Sequence, residues 1–116
     1  MAQATRDLIR RYYEAFNAGD MTKFLSLLTE DVVHDVNQGG REVGRPAFEE
    51  FMKRMNRSYQ ERIEDVVVMV DESGDRAATE YVVHGKYLAD DEGLPRATGQ
   101  KYVLPGGAFF EIRGGK

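Results

Sequence analysis

The chain has no cysteine among its 116 residues, which excludes disulfides, thiolate nucleophiles and thiolate metal centres. Histidine is nearly as scarce. The two present, His34 and His84, lie far apart, and His34-x-x-Asn37 lacks the close spacing of a ligand set, so no metal is expected. No apolar run reaches the length of a membrane span, and residues 1–7 lack the apolar segment of a secretory signal. The expectation is a cytoplasmic protein with no membrane partner. A concentrated basic face is missing too. The formal net charge is −4, and Lys53, Arg54 and Arg57 are interleaved with Glu49, Glu50 and Glu61, which reads as a solvated helix face rather than a nucleic-acid surface. No glycine-rich phosphate loop follows a strand, so no cofactor is implied. Repeats, linkers and low-complexity stretches are absent, and residues 1–116 read as one domain, long enough for a single core.

What the chain does have is helical periodicity first and strand periodicity later. Over residues 5–18, Leu8, Ile9, Tyr12, Tyr13 and Phe16 fall three and four apart, on one stripe of an amphipathic helix. Gly19 is placed to end it in a left-handed conformation, and Asp20 to cap a second helix carrying Met21, Phe24, Leu25 and Leu28. Residues 32–36 read as a short strand and Asn37-Gln38-Gly39-Gly40 as a turn. Gly44-Arg45-Pro46 opens a third helix with an apolar stripe of Phe48, Phe51, Met52, Met55 and Tyr59. Residues 63–70 are rich in β-branched side chains, Asp71-Glu72-Ser73-Gly74-Asp75 is a hairpin loop, and residues 76–88 form the next strand. An acidic loop at 89–95 leads to a strand over 100–112, expected to bend or bulge at Pro105-Gly106-Gly107. Helices followed by an antiparallel meander define an α+β class.

The block Tyr12-Tyr13-Glu14-Ala15-Phe16-Asn17-Ala18-Gly19-Asp20, followed by Leu27-Leu28-Thr29-Glu30-Asp31-Val32-Val33-His34-Asp35, resembles the opening of the ketosteroid isomerase and SnoaL-type cyclase branch of the nuclear transport factor 2-like superfamily. The resemblance implies a cystatin-like cone. Three N-terminal helices pack on a strongly curved, mostly antiparallel sheet around a central pocket. It implies a homodimer, since the family commonly pairs through the sheet, and outward Val67, Met69 and Val83 would supply an apolar surface for that. It also implies that the turn Arg113-Gly114-Gly115-Lys116 leads into one more pocket-lining strand. The same cone hosts isomerases, epoxide hydrolases, cyclases, dehydratases and binding proteins, so the fold alone does not select a reaction.

Carried over residue by residue, the isomerase pattern puts Tyr12 on the oxyanion-hole tyrosine. Its aspartate base falls on Val36, one residue beyond Asp35, and its protonated aspartic acid on Pro105. Two of three catalytic positions therefore depart from the pattern. The limonene epoxide hydrolase motifs, Tyr-x-Asn and Arg-x-Asp, are replaced by His34-Asp35-Val36 and Glu80-Tyr81-Val82-Val83.

What remains for acid/base work is His34 or Asp35 as base, Tyr12 as hydrogen-bond donor, and Glu80 with His84 as a second pair. Glu80, Val82, His84 and Lys86 share one face of their strand; Thr79, Tyr81, Val83 and Gly85 share the other. Tyr13, Phe16, Tyr59, Tyr81, Tyr102 and Phe109 are the expected lining for a small apolar or amphipathic ligand with an oxygen function. Two readings follow. One is a cofactor-independent isomerase- or cyclase-like enzyme, favoured if Glu80 and His84 face inward. The other is a non-catalytic binding or dimerisation module, favoured if Tyr81 and Val83 do.

Overall fold

The computed structural model describes residues 2–36, 39–91 and 94–116. Three helices come first in the chain: α1 (Ala2–Ala18), α2 (Met21–Ser26) and α3 (Arg45–Ser58). Between α2 and α3 lies a small antiparallel pair, β1 (Val33–Asp35) with β2 (Arg41–Val43). After α3 come β3 (Tyr59–Val70), β4 (Arg76–Tyr87) and β5 (Lys101–Glu111), an antiparallel sheet in chain order. This is an α+β fold of helices on a curved antiparallel sheet.

Local chemistry sets the boundaries. Gly19 has φ +69°, and Asp20 caps α2 by accepting the Lys23 backbone N–H at 3.1 Å. Gly44, at φ +100°, precedes α3, and Pro46 occupies its first turn. Tyr59 does not extend the α3 stripe: its backbone is already extended, and it begins β3 four residues before the β-branched run. Strand β2 carries no apolar alternation that would announce it. The expected turn at Asn37-Gln38 and the Glu92-Gly93 part of the acidic loop lie outside the described residues.

Three tethers fix α1 lengthwise against the sheet. The Thr5 hydroxyl donates to the Gly74 carbonyl at 2.6 Å, and the Arg6 guanidinium to Val68 at 2.8 Å. Asn17 clamps Ile63 from both sides, donating to its carbonyl and accepting its N–H, each at 2.8 Å. Under α1 one cluster gathers Ile9, Tyr13, Ile63, Val68 and Ala77. A second gathers Ala15, Phe24, Leu28, Phe48 and Met52 between α1, α2 and α3. Tyr12 and Phe16 pack against both.

The expected distortion at Pro105-Gly106-Gly107 is corrected. Strand β5 pairs with β4 without a register shift, and Gly106 is instead the floor on which the Tyr81 ring lies. The irregularity is in β3, where Asp65 and Val66 together oppose Tyr81 and Asp65 takes φ +55°. That bulge decides the faces. Tyr59, Glu61 and Ile63 point toward the helices before it, and Val66, Val68 and Val70 after it.

A candidate ligand cavity

The cavity opens where α1 and α2 meet α3 and the start of β3. It encloses about 120 Å³. Phe16 walls it from α1, Gly19 from the turn after it and Met21 from α2, Phe51, Met52, Met55 and Asn56 from α3, and Tyr59 and Glu61 from β3. Rings and thioethers give it an adaptable apolar surface, and Glu61 places a carboxylate among them.

Glu61 is held by its neighbour across the sheet: the Tyr102 hydroxyl donates to Oε2 at 2.5 Å. Tyr102 lies flat over Gly85, where a Cβ would meet the ring. Beside this pair the Tyr59 hydroxyl donates to Asp91 Oδ2 at 2.7 Å, and its ring stacks on Tyr87 at 5.4 Å. Burial and the Asp91 carboxylate push Tyr59 up to about 12. Burial first, then the hydrogen bond to Glu61, pushes Tyr102 higher than an ordinary phenol, and burial with Glu61 nearby raises Tyr81. These hydroxyls stay protonated across the neutral range, and those of Tyr59 and Tyr102 act as donors to Asp91 and Glu61. Deeper in, the Tyr13 hydroxyl and Thr79 Oγ1 share a hydrogen bond at 2.8 Å, and burial pushes Tyr13 up to about 12. Tyr12 is raised by burial and by the neighbouring Tyr13 and Tyr81.

Several expected site residues stand elsewhere. Glu80 and His84 lie on the face of β4 turned away from the helices, which corrects their expected place in the cavity. Both are exposed, and His84 Nε2 sits 3.1 Å from Glu64 Oε2 on that outer face. The inward set is Thr79, Tyr81 and Val83, so Val83 is not part of the outer surface either. Phe109 is 92% exposed on the outer face of β5, which removes it from the lining. Asp35 is exposed and engaged by Arg41 at 2.7 and 3.0 Å, and that hydrogen bond holds its carboxyl below the usual range. It does not turn inward as a base.

His34 packs against α3 rather than α1. Its ring stacks on Phe48 at 4.3 Å and meets the edge of Phe51 at 4.7 Å, with Nδ1 3.5 Å from Glu42 Oε1. From Tyr12 the ring contacts run through Phe24 and Phe48 before reaching His34. Its expected proximity to Tyr12 or Tyr13 is therefore corrected. Of the expected lining, Phe16 and Tyr59 face the cavity itself, Tyr81 and Tyr102 lie on the inner sheet face beside it, and Tyr13 is core. Glu61 was missed. The signal was Tyr59-x-Glu61-x-Ile63, which reads as one face once the strand starts at Tyr59.

The SnoaL-like domain family matches residues 9–116, and the chain belongs to that family. Among solved structures it is similar to a candidate polyketide cyclase from Pseudomonas putida KT2440, at 62% identity and TM-score 0.94 over 97% of this chain and 84% of the other. A second candidate polyketide cyclase, from Xanthomonas campestris pv. campestris, is 56% identical at TM-score 0.96, covering 99% and 85%. A candidate ketosteroid isomerase from Kribbella flavida DSM 17836, at 24% identity and TM-score 0.69 over 98% and 72%, shares the fold. None of the curated proteins matches the chain.

Proposed function

We propose that this SnoaL-like protein binds a small, mostly apolar carbonyl or hydroxyl compound in the cavity between α1, α3 and β3. There it carries out isomerase- or cyclase-type proton transfer without a cofactor. The observation that carries this reading is a lone carboxylate, Glu61, on the wall of a cavity lined mainly by Phe, Met and Tyr, with Asn56 and Gly19 beside them. The candidate polyketide cyclases at 62% and 56% identity support the same chemical class. A thermal-shift screen with steroid-like, terpenoid and polyketide-like compounds tests it. At least one class should raise the melting temperature, and Met55→Lys, which puts a charged chain into the cavity, should abolish the shift. No shift with any class, or a shift untouched by Met55→Lys, removes the cavity from consideration.

The non-catalytic binding reading is favoured by one observation: Tyr81 and Val83, not Glu80 and His84, face inward. The same screen, followed by an assay of turnover for each binder, separates the two. We also infer a homodimer through the outer sheet face, where Val67 is 51%, Met69 45%, Val103 60% and Phe109 92% exposed. Light scattering should give twice the chain mass, and Phe109→Lys should return a monomer.

A further inference from the structure

We propose that Glu61 is the group that moves the proton in this cavity, on a carbonyl compound bearing an ionisable C–H beside its C=O, with Tyr102 as its positioning residue. This deepens the reading above and rests on it, because it requires the cavity to hold the ligand. Among the described residues that line the cavity, Glu61 carries the one carboxylate, a group able to take a proton from carbon and hand it back. Its two oxygens are not equivalent. Oε2 accepts the Tyr102 hydroxyl, whereas Oε1 makes no hydrogen bond among the described residues. One oxygen is anchored and the other is left for the substrate.

The anchor is itself fixed. Tyr102 cannot settle closer to β4, because its ring already rests on Gly85. The titratable groups set against Glu61 are Tyr59 on its own strand, Tyr81 on β4 and Tyr102 on β5. Helices α1 and α3 present Phe16, Met52, Met55 and Asn56. Asn56 brings a neutral amide, whose N–H groups suit an oxygen that becomes negative during the reaction.

The step balances without a co-reactant. Oε1 of the Glu61 carboxylate takes the proton from the carbon beside the carbonyl. The C–H electron pair becomes the C=C bond of an enolate, and the carbonyl π pair moves to oxygen, where the Asn56 amide donates to it. The carbonyl then re-forms, and the proton on Glu61 returns to the same carbon or to the far end of a conjugated system.

The probe is 2-tetralone in D₂O, with exchange of its ring hydrogens beside the carbonyl followed by NMR, and its binding by thermal shift. The wild-type protein should accelerate exchange over buffer with saturation. Glu61→Gln should lower the saturated rate by about 10²–10⁴-fold, the usual range for a general base, at unchanged half-saturation. Tyr102→Phe should lower the saturated rate by about tenfold, again at unchanged half-saturation, since it removes orientation rather than binding. If Glu61→Gln does not fold, as judged by circular dichroism, Glu61→Asp replaces it. Its carboxylate is withdrawn by one methylene, and about a 10²-fold loss is expected. A wild-type rate in either Glu61 variant overturns the proposal. Saturable binding with no exchange above buffer also overturns it, but leaves the binding reading standing. Absence of 2-tetralone binding overturns both for this class of compound.

Discussion

The inner face of the β3-β4-β5 sheet has two ends, and they are built differently. Beyond the bulge, Val66, Val68, Ala77, Thr79 and Phe110 pack under α1, and the one hydroxyl pair there, Tyr13 with Thr79, satisfies itself. Before the bulge, Tyr59, Glu61, Tyr87 and Tyr102 carry oxygen atoms on the same surface, tied to loop residues and to each other. Leu104, on the inner side of this end, remains 53% exposed. Burying apolar side chains stabilises by about 1.5–3 kcal/mol each, whereas a polar cluster returns little net energy for its hydrogen bonds. The first end therefore holds the fold together. The second is where a polar arrangement is kept despite offering less stability, which is the usual mark of a binding surface.

If that division holds, substitutions at the two ends should differ in kind. The largest effect is expected at Phe24, 1% exposed and in ring contact with Tyr12, Phe16 and Phe48. Phe24→Ala should lower unfolding free energy by about 3–5 kcal/mol in urea titration. A loss under ~1 kcal/mol would mean the helical cluster does not organise the fold. Asn17 lies at the boundary between the ends. Asn17→Ala leaves the Ile63 N–H and C=O without their partner and should cost about 1–3 kcal/mol. Because Ile63 is two residues from Glu61, the variant should also weaken the ligand-induced thermal shift; unchanged binding would separate the clamp from the cavity.

Alkaline pH probes both ends together. Tyr13 and Tyr59 are pushed up to about 12 from an ordinary value near 10. The unfolded chain ionises first, so their contribution is fully present below pH 10 and is lost as pH rises from 10 to 12. Melting temperature should be level below that window and fall through it, less steeply in Tyr13→Phe and Tyr59→Phe. A curve flat to pH 12 would mean neither hydroxyl is desolvated. The smallest effect is expected on the outer face: Glu80→Gln should leave the ligand-induced thermal shift unchanged, and a lost shift would put Glu80 back at the site.

Much of the fold was legible because its signals are local. The stripes of α1 and α3, the left-handed Gly19 and the Asp20 cap depend on residues a turn apart. The site was less legible because it depends on which strand face turns inward. Alternation sorted β4 into two sets but did not orient them, although the set with Glu80, His84 and Lys86 has the charges expected of a solvent face. The bulge at Asp65 had no glycine or proline to announce it, while Gly106, read as a distortion, serves with Gly85 as a seat for a ring. Glu61 was hidden because Tyr59 fits the periodicity of α3 as well as the start of β3, and a strand begun at Ile63 leaves it out.

The seating of Tyr102 on Gly85 also limits the order in which this sequence can change. A side chain at position 85 would collide with the tyrosine ring, so residue 102 must shrink before residue 85 can grow. Once position 85 has grown, the aromatic ring cannot return until that step is undone. The two positions thus form a ratchet across neighbouring strands. A lineage that crosses it gives up the hydroxyl on Glu61 and cannot recover it by a single substitution.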